Sequence, residues 1–342
     1  MDSGSDASDF YSIQDAERKV DELLEILAQH GIQVPRDSVL ETLCLETWQW
    51  ADNAEHLSSS VVSGDIDDFR ENRRRSLGFH DLIDKIVRLK DSPQFEVLVP
   101  HLRLLPESVF TQNTWAPVRD QGSDKVFELL IASTFVELAE NVQLDDPDES
   151  QGDNPDVLFT LNGTRWGVAC KVMHGSSPRT FLERLAEGLD QIERSDAQRG
   201  LVLFNMKNLV RHDEFWGVVA AEQAYIFPEG REAALSLLGK EASRIANEFL
   251  APQDETELRN LFGEHPKSLA LYASVVQSAT YVGNICSSVV PTPTILRFCL
   301  AHSLLGTQPD QSTVEMLGVL NLGIHNRKPT DNLVPVIELS SN

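Results

Sequence analysis

DNPDVLFTLNGTRWGVACKVMHG, residues 153–175, decides how this chain is read. Asn162-Gly163 is the strongest short-range hairpin signal, because a two-residue type I′ turn needs positive φ at both central positions. Opposed pairs then step outward from Leu161 and Thr164 through Phe159 and Trp166 to Val157 and Val168. The next pair is Asp156 and Ala169. Side chains alternate along a strand, so Val157, Phe159, Leu161, Trp166, Val168, Cys170 and Val172 share one apolar, buried face. Asp156, Thr160, Arg165, Ala169 and Lys171 lie on the other, with Leu158 and Gly167 between.

An acid at 156, a second acid at 169 and a lysine at 171 would form a phosphodiester-cleaving site. Carboxylates hold divalent cations that polarise the phosphate and activate water, and a lysine stabilises developing negative charge. Pro155-Asp156 followed by Ala169-Cys170-Lys171 resembles the PD-(D/E)xK nuclease superfamily, except that alanine stands at the second acidic position. The resemblance covers about residues 121–210, including an order of helix, three strands, helix and strand. It implies a restriction-endonuclease-like core, with Asp156 and the Cys170 carbonyl as ligands for Mg²⁺ or Mn²⁺ and Lys171 catalytic.

Two helices bear on the same chemistry. In QGSDKVFELLIASTFVELAENVQL (121–144), Ser133, Glu137 and Glu140 define a solvent stripe, and Glu128 falls opposite, beside Ala132, Phe135 and Ala139. A glutamate there is either a further metal-site acid, as the resemblance implies, or a first-turn residue favoured by the helix dipole. In PRTFLERLAEGLDQIERSD (178–196), Gln191, with Arg184 and Gly188, flanks the apolar stripe Phe181, Leu185, Leu189 and Ile192. Gln191 is either a polar helper to the site or a solvent-flank residue.

The whole chain is acidic: 29 Lys+Arg against 53 Asp+Glu over 342 residues, a net charge of −24. That argues against indiscriminate wrapping of nucleic acid or docking on anionic membrane. Residues 171–211 run the other way, with seven basic side chains and five acidic. Lys171, His174, Arg179 and Arg184 are the candidate nucleic-acid contacts there, although His174 also reads as a plain loop histidine. RENRRR (70–75) is the other basic cluster. DNA is the expected partner, with a homodimer or a partner protein engaged through the flanking helices.

Cys44, Cys170, Cys286 and Cys299 form no CxxC pair, so neither a zinc site nor a disulfide framework is expected. No apolar run approaches a membrane span. A reducing, cytoplasmic setting is the expectation. GxSxG, HExxH and Walker A patterns are absent; SLLGKEAS (236–243) lacks the Walker spacing.

The expected organisation is a disordered tail (1–11), a helical region (12–118), the nuclease-like core with a helical insertion (119–290) and a helical C-terminal region (291–342). Helices are expected at 13–31, from 37, within 67–90, at 230–250, 254–262, near 293–305 and at 312–324, with a strand in SLALYASVV (268–276). The fold class is α/β: a central mixed sheet flanked by helices. The expected function is a divalent-metal-dependent endonuclease, inactive as written because Ala169 replaces a carboxylate. A role in restriction or antiviral defence is an expectation that the resemblance alone implies. Ala169 is either an engineered replacement, the preferred explanation, or the mark of a naturally degenerate nuclease fold that binds nucleic acid or protein without cutting.

Overall fold

The computed structural model describes residues 13–52, 66–116, 120–148, 152–215, 218–219, 225–226, 230–250, 253–282, 292–306 and 308–325. The expected tail at 1–11 lies outside them. The chain runs α1 (Ile13–Gln29), α2 (Val39–Asp52), α3 (Ile66–Leu89), a one-turn α4 (Val99–Leu102) and α5 (Gln121–Val136). Then come β1 (Glu140–Leu144), β2 (Val157–Leu161), β3 (Thr164–Val172), α6 (Pro178–Arg194) and β4 (Arg199–Asn205). A two-residue ribbon follows, β5 (Val218–Val219) with β6 (Tyr225–Ile226), then α7 (Arg231–Leu250), α8 (Glu255–Glu264), β7 (Ser268–Val282), β8 (Thr292–Ser303) and α9 (Gln311–Ile324). The architecture is α/β.

The hairpin takes the register that its turn dictates. Asn162 and Gly163 both have positive φ, 49° and 76°, and Val157 pairs with Val168, Phe159 with Trp166 and Leu161 with Thr164. Six strands form one mixed sheet in the order β1-β2-β3-β4-β7-β8. β2 is antiparallel to both β1 and β3, β4 is parallel to both β3 and β7, and β8 returns antiparallel to β7. The β3–β4 crossover is α6, capped by Ser177, whose side chain accepts from Thr180 N–H, with Pro178 in its first turn. Proline there loses no helical hydrogen bond. β4 sits mid-sheet with Gly200–Asn205 buried throughout, as a parallel strand covered on both faces must be.

The two faces carry separate cores. On one, α5 lays Phe135 flat on Phe159 with ring centroids 3.8 Å apart, over Val157, Trp166, Val168 and Cys170. The same core takes Val20 and Leu23 of α1, Ile83 and Ile86 of α3, and Met316 and Leu320 of α9, so it runs across positions 118 and 290 without a break. On the other face, Phe181, Leu185, Leu189 and Ile192 of α6, with Leu238 and Phe249 of α7, cover Ala169, Val202, Phe204 and Tyr272. Burying one such large side chain is worth roughly 1.5–3 kcal/mol.

One expected element is corrected. The segment near 293–305, read as helix, is β8, paired with β7 from Leu271–Ser303 to Val282–Thr292. The C-terminal region is therefore not all helical. Ile295, Leu296, Leu300 and Ala301 of β8 are all buried, split between both sheet faces, and a strand covered on both sides shows a continuous apolar run without alternation. Arg297, in the middle of that run, is itself buried and ion-paired with Asp81 of α3.

At the far edge β1 is irregular. Its register shifts between Glu140 and Gln143, and Asn141 between them has φ of 51°. Arg165 of β3 braces this bulge, donating from Nη1 to the Asn141 carbonyl (2.7 Å) and from Nη2 to Gln143 Oε1 (2.6 Å).

Candidate active site

Asp156 sits immediately before β2, one residue beyond the Val157–Val168 pair at which the β2–β3 ladder ends. Its Oδ2 accepts the Cys170 backbone N–H at 2.7 Å. The carboxylate thus closes the ladder where β2 stops, and it is only 6% exposed. Burial pushes its pKa up to about 8, and neighbouring Glu128 adds to this; Lys171, Lys125 and the Cys170 N–H pull the other way without prevailing.

Glu128 comes from α5, which begins where Asp120 caps it by accepting from Ser123 N–H at 3.0 Å. The carboxylate is buried at the sheet end and not in a frayed first turn. Its Oε2 takes His101 Nε2 at 3.1 Å, and Lys125 Nζ lies 2.9 Å from Oε1 and 3.0 Å from Oε2. Burial lifts the Glu128 pKa to about 7, against the Lys125 ammonium, a hydrogen bond with Asp156 and the Lys171 charge. His101 is held down to about 4, by burial first and then by Lys125, so its imidazole is neutral near pH 7. Facing a carboxylate oxygen, His101 Nε2 carries the ring proton.

Lys171, two residues beyond Ala169, donates to Gln191 Oε1 at 2.6 Å. Gln191 is buried, and its Nε2 donates to the Gly152 carbonyl in the loop leading to Asp156 (3.0 Å). It therefore tethers Lys171 to that loop and is not a solvent-flank residue. Asp156, Glu128, Lys171 and Gln191 converge on one end of the β2–β3 hairpin.

Ala169 itself is fully buried under α6. The helix comes so close here that a Cβ built on Gly188 would stand 3.3 Å from Ala169 Cβ and 2.9 Å from Val202 Cγ2. The Cys170 side chain lies in the opposite core, its thiol pKa pushed far up by burial and the two carboxylates.

The remaining candidates fall elsewhere. Arg179 and Arg184 lie on the outer surface of α6, each matched within the helix, to Glu183 at 2.9 Å and Glu187 at 2.8 Å. His174 follows β3, and its Nδ1 takes a bond from Asn208 Nδ2 at 3.0 Å, because Asn208 Oδ1 is occupied by Ala116 N–H. His174 Nε2 stands 3.4 Å from Asp124. Nearby, the wholly buried Lys207 donates to Ser123 Oγ, and burial lowers its pKa to about 8 against the charges of Asp124 and Asp120.

Sequence reading missed Lys125 and His101. Lys125 carried a signal: it stands three residues before Glu128, on the same helix face. His101 carried none, because its segment lies far from the hairpin in sequence.

The donor set does not suit a divalent cation as it stands. Two carboxylates reach the centre, Asp156 is engaged by a backbone N–H, and the third position is alanine. Among the described residues, no group of three or more His, Cys, Asp and Glu side chains is placed to hold a metal ion. No described helix is long and apolar enough to cross a membrane. Comparison with family models, curated proteins and solved structures returns no match for this chain.

Proposed function

We propose that this chain is a PD-(D/E)xK-type endonuclease core acting on nucleic acid, DNA in the first place, and hydrolytically inactive because Ala169 takes the place of a metal-binding acid. The carrying observation is the convergence of Asp156, Glu128, Lys171 and Gln191 opposite position 169. The order α5-β1-β2-β3-α6-β4, with β3 and β4 parallel, supports a restriction-endonuclease-like core. Raised carboxyl pKa values concentrated at one end of a sheet favour a working site over a structural ion pair. A role in restriction or antiviral defence, with two copies cutting a duplex in a reducing compartment, extends the same reading.

The residues present allow binding without hydrolysis. Lys171 and Lys125 offer cationic groups for a phosphate, and two carboxyls with raised pKa values repel it less than fully ionised ones would. The test is cleavage of plasmid and single-stranded DNA by the parent, Ala169→Glu and Ala169→Glu/Lys171→Ala, with Mg²⁺ or Mn²⁺ and with chelator. The parent should cut nothing, Ala169→Glu should cut only with metal, and the double variant should lose that activity. A folded Ala169→Glu that binds DNA and cuts nothing under either metal overturns the catalytic reading. The second reading, a degenerate fold that binds without cutting, would then stand, favoured by the lysine between the two carboxylates.

A further inference from the structure

We propose that the Lys125 ammonium is the resident cation of this site, occupying the place between Glu128 and Asp156 that a divalent ion would take, so that metal enters only by displacing it. This rests on the nuclease reading for the metal itself. Lys125 Nζ touches both Glu128 oxygens, at 2.9 and 3.0 Å, and stands 3.9 Å from Asp156 Oδ1 on the side away from the Cys170 N–H. A metal ion bridging the same two carboxylates needs oxygens at about 2.0–2.6 Å, within the volume that the ammonium fills.

Charge gives the same answer. Glu128 and Asp156 supply at most two negative charges, and Lys125 and Lys171 supply two positive ones, with His101 neutral. A dication added beside both lysines would find no net negative charge to hold it in a poorly solvated cluster. If Lys125 leaves, the balance turns favourable. Lys125 lies in the second turn of α5 with its side chain 23% exposed, so the ammonium is not sealed off from solvent.

The experiment measures Mn²⁺ binding by electron paramagnetic resonance at pH 8, in the absence of nucleic acid. Lys125→Met keeps the stem and removes the charge, and should bind Mn²⁺ at least tenfold more tightly than the parent. Lys125→Arg keeps the charge and should match the parent. Added to Ala169→Glu, Lys125→Met should again tighten Mn²⁺ at least tenfold. If Lys125→Met does not fold, Lys125→Gln replaces it, with the same expectation. Equal Mn²⁺ affinity with and without the lysine charge, in a protein whose Ala169→Glu form binds metal and cuts, overturns the proposal and leaves the nuclease reading intact. Absence of Mn²⁺ binding in every variant, the Ala169→Glu/Lys125→Met form included, overturns both.

Discussion

Two carboxylates in this protein are almost equally hidden from solvent, yet burial has opposite outcomes for them. Glu241 of α7 is 4% exposed and Asp156 is 6% exposed. Burial works against the charge of each. At Glu241 it is outweighed by the Arg244 and Arg211 guanidiniums and the Arg211 N–H, with contacts of 2.7–3.2 Å, which hold the pKa down to about 2. At Asp156 the neighbours are another carboxylate, the Lys171 charge, the Lys125 ammonium at 3.9 Å and one N–H, none of them a charged hydrogen bond, and the pKa climbs to about 8. Both acids are closed to solvent, but Asp156 lies deeper among protein atoms, and it is depth together with partner geometry that makes one buried acid an anchor and the other a poised group.

The largest effect expected from this difference is catalytic. In the Ala169→Glu background, Asp156→Asn should reduce metal-dependent cleavage on the order of 10³-fold, the scale of losing a ligand to the reacting centre. Glu241→Gln in the same background should leave the rate unchanged. Equal losses in a cleavage assay would break the comparison.

Stability should show the reverse ranking. Glu241→Gln removes the shared partner of two arginines that keep Glu214 and Glu248, and should cost about 1 kcal/mol in urea unfolding at pH 7, a figure kept small because both arginines are partly exposed. Its folded pKa lies below the usual carboxylate value, so the parent's advantage is complete above about pH 4.5 and disappears as pH falls toward 2. Asp156→Asn should instead stabilise, on the order of 1 kcal/mol at pH 8. There the folded pKa is raised from 3.8 to about 8, so the folded parent holds its proton more tightly than the unfolded chain. Its stability therefore declines as pH rises through that window, and Asn is spared the decline. The Tm difference between variant and parent should grow from near zero at pH 4 to its full value near pH 8. Buried His80, His101, His212 and His302, all with lowered pKa values, tilt the parent's own profile the other way, so the difference is the readout.

The smallest effect probes position 169 itself. Gly188→Ala gains about 1 kcal/mol of helix propensity but forces a methyl to within 2.9 Å of Val202 and 3.3 Å of Ala169. A net loss of about 1 kcal/mol in thermal unfolding is expected. A net gain would mean that α6 is free to lift, leaving room for a larger side chain at 169.

Legibility in the sequence followed the range of the interaction. Asn162-Gly163 set the hairpin register locally, and with it the shared face of Asp156, Ala169 and Lys171. Glu128 was visible because an acid on an apolar helix face needs a reason. Gln191 looked like a flank residue since its partner, Lys171, lies on another element. Lys125 and His101 act only through contacts that the fold creates. β8 was misread because a strand buried on both faces has the composition of a buried helix, and only its pairing with β7 separates the two.

The bulge in β1 reaches beyond this site. An outermost strand with free backbone donors and acceptors invites another chain to add on, and a left-handed residue at Asn141 together with a slipped register spoils the straight edge that such addition needs. The Asn141 carbonyl is already taken by Arg165. This margin of the sheet is thereby guarded against fibre-like self-templating, and a further strand could be added past β1 only by rebuilding the bulge.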